Sequence, residues 1–239
     1  MITLAGIYEF IRLTGGNDQR SLMVQALAAG GMIYADVALV AMSCLPLEAL
    51  WGIVPLALIP PLAMILYYKG LVIRRMAVFS GSLLFVVFPM SLLNLLLDPW
   101  LIPEYHNPWF LLGMFAILWT HDTFAYLCGS MFGRHPLWKS ISPKKSIEGS
   151  IGGFGFAVVA AYIISIFSAD LPVWVWIAIA FVVAFFGTAG DLAESVLKRR
   201  AGVKDSGNLL PGHGGILDRF DSLLLVSPLV FVFVLLFHT

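Results

Sequence analysis

Charge is scarce in this chain. Only 12% of its 239 residues are charged and 60% are hydrophobic, where an average soluble domain carries about a quarter charged residues. That balance excludes a soluble globular domain. The 14 Lys and Arg are matched by 14 Asp and Glu, so net charge offers nothing to hold nucleic acid. Cysteine is almost absent: Cys44 and Cys128 both lie inside apolar runs, which excludes a disulfide framework and a Cys-based metal site. There is no short repeat, and 18 Phe, 7 Trp and 7 Tyr exclude a disordered or fibrous chain. What the sequence does have is apolar length, with a mean hydropathy of +0.92.

Crossing ~30 Å of hydrocarbon takes about 20 mostly apolar residues. Such runs lie at about 22–45, 47–68, 76–97, 109–130, 150–168, 172–192 and 222–238. Ahead of them, Met1–Leu13 is the end of an apolar helix, about 20 Å long at 1.5 Å per residue, and too short to cross alone. It lacks a basic first region and carries Glu9 and Arg12, so it is not a signal peptide. The expectation is an all-α integral membrane protein: a polytopic bundle of about seven complete spans plus a partial N-terminal helix. The chain is expected to start inside a helix, one helix short of a full-length parent.

The connections alternate in charge. Arg12 and Arg20, then Lys69, Arg74 and Arg75, then Arg134, Lys139, Lys144 and Lys145, and finally Lys198, Arg199, Arg200, Lys204 and Arg219 account for every basic residue. The intervening loops hold Glu48, Asp98, Glu104 and Asp170 and neither Lys nor Arg. Basic loops stay in the cytoplasm, so both chain ends are expected on the other side.

Chemistry is expected where polar residues reach membrane depth, because ionisable groups there are costly unless paired. Run 109–130 contains Thr120, His121, Asp122, Thr123 and Tyr126. Run 172–192 ends in Gly187-Thr188-Ala189-Gly190-Asp191, followed by Glu194 and Ser195. Asp191, Glu194, Ser195 and Lys198 fall at i, i+3, i+4 and i+7 and share one helix face. Asp36, alone in a Gly/Ala-rich run, fits a buried helix–helix hydrogen bond better than a ligand.

Three features of the segment 195–221 point to phosphate. The turn Gly212-His213-Gly214-Gly215 has almost no side chains, so its N–H groups can close on an anion. It opens into a helix whose N-terminal dipole favours negative charge. Asp218 and Asp221, at i and i+3 of that helix, are hard oxygen ligands suited to Mg²⁺. Surrounding Arg and Lys would neutralise further phosphate oxygens. The loop Ile141-Ser142-Pro143-Lys144-Lys145-Ser146 taken alone is an orientation signal that binds anionic lipid. With the second loop it would line one cationic cavity at the cytoplasmic interface, floored by carboxylates. Such a cavity suits a cytosolic nucleotide meeting a phospholipid headgroup.

The stretch Ser195–Asp221 resembles the signature of the CDP-diacylglycerol synthases, or phosphatidate cytidylyltransferases, S-x-L-K-R-x4-K-D-x-G-x2-L-P-x-H-G-G-I-x-D-R-F-D, at every specified position. Trp119, Asp122-Thr123, Ala125-Tyr126, Gly129, Phe132-Gly133, Ile141 to Lys145, Glu148-Gly149, Gly190-Asp191 and Glu194-Ser195 are similar to the family as well. The likeness is strong over roughly 118–221, and 109–239 is the motif-bearing half of a single domain spanning 1–239. Tyr8-Glu9-Phe10 resembles the end of the family's second helix. Lys139 stands where members often have proline, and Ser146 replaces a usual threonine.

The resemblance implies CTP + phosphatidate → CDP-diacylglycerol + pyrophosphate, by in-line attack of a lipid phosphate oxygen on the α-phosphorus of CTP. It implies catalytic roles for Asp191, Lys198, Asp218 and Asp221, with Asp191, Asp218 and Asp221 holding one or two Mg²⁺ and a monovalent cation as a further candidate. Lys198, Arg199, Lys204 and Arg219 would hold the triphosphate and pyrophosphate, with Ser195 beside them. Gly212, Gly214 and Gly215 would supply N–H donors, and His213 a hydrogen bond to phosphate. Lys144 and Lys145 would bind the phosphatidate headgroup or the nucleotide. Asp122 is either a further metal ligand or a buried partner of a cation. The implied partners are CTP, phosphatidate and membrane lipid, with a homodimer as a candidate assembly and no nucleic acid. Two other readings stay open: a CTP-dependent polyprenol or phytol kinase, which releases CDP, and an ion-coupled transporter. Against transport, no inverted repeat is visible.

Overall fold

A computed structural model describes residues 1–15, 20–67, 72–97, 108–168, 171–207, 209 and 214–237. Its elements are α1 (Ile2–Thr14), α2 (Arg20–Ala41), a 3₁₀ turn (Leu47–Gly52) leading into α3 (Ile53–Tyr67), α4 (Val72–Ser82), α5 (Phe88–Leu95) and α6 (Pro108–Phe132). There follow β1 (Pro136–Trp138), β2 (Ser142–Ser146), α7 (Ile147–Phe167), α8 (Val173–Val182), α9 (Thr188–Arg200) and α10 (Leu217–Phe237). Five-residue π turns, Leu83–Val87 and Val183–Gly187, carry α4 into α5 and α8 into α9 without ending the helix. Pro89 has no N–H for the Phe85 carbonyl four residues earlier, and the first π turn falls where that bond is missing.

Among the described residues, seven helices are long and apolar enough to span a bilayer: Arg20–Ala41, Leu47–Leu66, Val72–Leu95, Pro108–Phe132, Ile147–Phe167, Val173–Arg200 and Leu217–Phe237. Each coincides with an expected run, and the protein is an all-α, multi-pass membrane protein. Two helices outrun their apolar sequence. The sixth continues to Arg200 because Leu192 to Arg200 is rich in good helix formers. The seventh starts at Leu217, before its apolar run begins. The loop 131–149, expected only as a connection, contains an antiparallel hairpin that pairs Pro136 with Ser146 and Trp138 with Ser142.

The chain packs as two compact units, Met1–Pro103 with Arg200–Phe220 and Glu104–Arg199 with Asp221–Thr239. The motif-bearing segment 195–221 therefore contributes to both. In the first unit, Ile7, Ile11, Leu22, Phe79, Val86 and Leu96 are fully buried or nearly so. Without a polar solvent to drive helices together, membrane helices meet through small residues: a β-carbon on Gly30 would stand 2.6 Å from Ile7 Cδ1. In the second unit, Met114, Ile117, Ala157, Ala161, Trp176 and Ile179 form the core. There α6 and α7 meet along glycines, where a β-carbon on Gly149 would lie 2.6 Å from the Ala125 carbonyl. Exposed Leu66, Ile73, Phe167 and Phe185 present the apolar exterior that lipid requires.

Candidate functional site

In the second unit the site begins with a cap. Ser146, extended at the N-cap of α7, accepts a hydrogen bond from Gly149 N at 3.1 Å, as N-cap serines do. Two residues into that helix, Glu148 reaches back to the hairpin. It accepts from Arg134 N and His135 N, both at 3.2 Å, and pairs with His135 Nδ1 at 2.6 Å. Cap and clasp fix β2, and alternation along the strand turns Lys144 and Lys145 to opposite faces. Lys144 is exposed. Lys145 forms an ion pair with Asp191 Oδ2.

Asp191 stands on α9, where the expected face is present. Ser195 Oγ donates to Asp191 Oδ1 at 3.4 Å, and Lys198 Nζ donates to the fully buried Glu194 at 3.2 Å. Asp221, at the start of this unit's stretch of α10, interacts with Glu194, Asp191 and Lys145. The close approach comes from Gly190, whose missing β-carbon would sit 2.5 Å from the Asp221 carbonyl oxygen. Sequence periodicity anticipates the α9 face, whereas the contribution of Lys145 from a strand is not visible in it. Three carboxylates and two ammonium groups thus form one charged nest at helix ends.

In the first unit the polar centre is built around Asp218 and a residue the sequence reading did not place there. Asp218 Oδ2 accepts from Ser206 N at 2.9 Å, Ser206 Oγ at 3.0 Å and Gly215 N at 2.8 Å. Glu9, 1% exposed, accepts from Ile216 N at 3.0 Å and from Leu217 N and Ser206 Oγ at 2.9 Å. Gly214 has φ +81°, a left-handed conformation that glycine adopts at little cost. The expected use of the Gly215 N–H for a ligand anion is corrected here: that hydrogen is held by Asp218, and the next two N–H groups are held by Glu9. The protein's own carboxylates cap this helix. The signal for Glu9 was present, a lone acid in an apolar helix.

The remaining expected residues divide. Arg199, Lys204 and Arg219 are exposed. Gly212 and His213 lie outside the described residues. Asp122 Oδ1 lies 3.0 Å from Nδ1 of buried His121; it is half exposed, so its partner is a neighbouring imidazole rather than a Lys or Arg. Asp36, on α2, is half-buried, and its Oδ2 has no hydrogen-bond partner among the described residues, so no helix–helix hydrogen bond is seen from that oxygen.

Among the described residues no three Asp, Glu, His or Cys side chains gather closely enough to hold a metal ion. The donor set of the second unit still fits a hard divalent cation in its chemistry, since Asp191, Glu194 and Asp221 offer only oxygens. Lys145 and Lys198 supply the positive charge that these carboxylates require.

Over part of its length the chain is similar to known proteins that share one name. A phosphatidate cytidylyltransferase of Staphylococcus aureus (strain COL) is 49% identical over 122 residues, which cover 51% of this chain and 47% of the relative. Those of Staphylococcus haemolyticus (strain JCSC1435) and Staphylococcus saprophyticus are 46% and 45% identical over the same lengths. The chain thus spans about half the length of the curated relatives it matches. The model of the cytidylyltransferase family extends further, over residues 1–237, and the chain belongs to that family.

Proposed function

We propose that this chain is a phosphatidate cytidylyltransferase, converting CTP and phosphatidate to CDP-diacylglycerol and pyrophosphate. The observation that carries the reading is the charged nest of Lys145, Asp191, Glu194, Lys198 and Asp221, in a chain of this family and close to relatives of that name. A lipid phosphate oxygen attacks the α-phosphorus of CTP, and the bond from that phosphorus to the bridging oxygen breaks as pyrophosphate leaves. Both reactants are anions, so the protein's contribution is positioning and charge neutralisation.

In this reading Lys198, Arg199, Lys204 and Arg219 hold phosphate oxygens, with Ser195 beside them. Lys145 and Lys144 take the phosphatidate headgroup or the nucleotide. Gly212, His213 and Gly214 would offer the turn's donors; Gly215 acts through Asp218 instead. Asp191 and Asp221 in the second unit, and Asp218 in the first, would each offer carboxylate oxygens to one or two Mg²⁺, which when bound would neutralise the reacting and leaving phosphates. No general base is required, because a phosphate monoester is already ionised at neutral pH. The basic ends of the spans are placed in the cytoplasm by the positive-inside rule, in a bacterial inner membrane, with CTP arriving from that side.

The test follows α-³²P-CTP into the lipid phase, using protein in detergent–phosphatidate micelles with Mg²⁺. Label in a chloroform-soluble product with one pyrophosphate per turnover is the expected result. Lipid labelled only from γ-³²P-CTP, with release of CDP, would overturn it in favour of a lipid kinase.

A further inference from the structure

The first helix does more than fill space. Glu9 comes from α1, yet its carboxylate is consumed by a segment about 200 residues later: Ser206, Ile216 and Leu217. Both oxygens accept, Oε1 from Ile216 N and Oε2 from Leu217 N and Ser206 Oγ. The fit is tight on two sides. A β-carbon on Gly207 would lie 2.4 Å from Glu9 Oε1, and one on Gly215 would lie 2.4 Å from Oε2. These two glycines bracket the carboxylate: at Gly207 a side chain would meet Glu9 alone, and at Gly215 it would meet both Ser206 Oγ and Glu9. The Ser206 hydroxyl has a single hydrogen, within bonding distance of both Glu9 and Asp218, and so links the two acids.

We infer that Glu9 is a positioning residue for the reaction: it ties Ser206 to Ile216 and Leu217 at the start of α10 and thereby sets the orientation of Asp218. The inference rests on the cytidylyltransferase reading, in which Asp218 belongs to the reacting site. A buried carboxylate at a helix N-terminus is stabilised by the dipole and by the three donors. Replacing one oxygen with an amide would turn a donor toward a donor, and removal would leave buried N–H groups unpaired. Asp218 would then lose its fixed partner at Ser206. Small misplacements of a reacting group cost rate rather than affinity.

The experiment compares wild type, Glu9→Gln, Glu9→Asp and Ser206→Ala as full chains in lipid nanodiscs. It measures kcat, KM for CTP, the melting temperature, and hydrogen exchange of the peptide containing Ile216 and Leu217. Glu9→Gln is expected to lower kcat by roughly 10- to 100-fold with KM within about threefold, and to speed exchange in that peptide about tenfold or more. Glu9→Asp keeps the charge and is expected to recover part of the rate. Should Glu9→Gln not accumulate, Ser206→Ala decides, because it leaves the Ile216 and Leu217 bonds in place: a lowered kcat at unchanged melting temperature supports the linkage, and wild-type kcat overturns it. Wild-type kcat and exchange in Glu9→Gln would overturn the inference outright. A wild-type protein that makes no CDP-diacylglycerol overturns the functional reading instead. In that event the exchange rates alone test the clamp, unchanged rates refuting it and faster ones supporting it.

Discussion

Gly190 and Asp221 meet backbone to backbone: a β-carbon at 190 would stand 2.5 Å from the Asp221 carbonyl oxygen and 3.3 Å from its carbonyl carbon. Neither atom can rotate away, as the tip of a flexible side chain could. The contact brings Asp191 into the electrostatic neighbourhood of Asp221. Gly190→Ala is therefore expected to push α9 and α10 apart and to lower turnover at least tenfold. Gly155→Ala is the control, since a β-carbon there meets nothing within 4 Å. It should be neutral or stabilising by up to about 1 kcal/mol from helix propensity. Equal activity in the two variants would show that the close approach does not matter.

Lys144 and Lys145 are adjacent in sequence and opposite in role. Lys145 holds Asp191, while Lys144 is exposed. Truncating one partner of a part-buried pair leaves the other charge uncompensated. Lys145→Ala is expected to cut kcat/KM on the order of 100-fold, about 2.7 kcal/mol. Lys144→Ala should raise the KM for phosphatidate by about threefold to tenfold and leave kcat near wild type, as a headgroup contact would. Steady-state kinetics at varied phosphatidate fraction separates the two. Identical losses in both variants would contradict the split.

Removing the negative charge from the nest should stop the reaction without unfolding the protein. Asp221→Asn and Asp191→Asn keep size and hydrogen-bonding shape but no longer balance Lys145 or bind a hard cation. Turnover is expected to fall by at least 10³-fold, with membrane abundance unchanged by immunoblot. Chelation with EDTA should silence the wild type, and added Mg²⁺ should restore it. Full activity in both Asn variants, or activity indifferent to EDTA, would remove these residues from the proposed cation site.

How far this arrangement could be read from sequence depended on the kind of regularity involved. The seven spans were legible because apolar length is imposed by the bilayer itself. The α9 face was legible because Asp191, Ser195 and Lys198 repeat at helical spacing. The hairpin was hidden: Ser142-Pro143-Lys144-Lys145-Ser146 has no alternation of apolar and polar residues, and its pairing depends on Glu148 clasping His135 from the next helix. Glu9 was legible as an anomaly but not as a cap, since its three donors lie in a segment that only folding brings near. The Gly-rich turn was recognised, yet its partners were not foreseen. A sequence shows that backbone N–H groups are accessible, and not which carboxylate reaches them first.

The cap at Ser146 gives the last prediction, because it separates fold from chemistry. Its side chain satisfies one N–H of α7, and loss of an N-cap typically costs about 1 kcal/mol. Ser146 also lies in the crowded seam where a β-carbon on Gly133 would come within 2.7 Å of its Oγ, so a side chain at Gly133 cannot be accommodated without displacement. Ser146→Ala removes the cap without adding bulk. It should lower the melting temperature by about 2–4 °C, the shift expected for ~1 kcal/mol in a chain of this size. Since Ser146 directly follows Lys145, loosening the cap should also relax the hold on Asp191. Turnover is then expected to fall by a few-fold, much less than in Lys145→Ala. A melting shift with undiminished turnover would mean that the strand, rather than the cap, holds Lys145 in place.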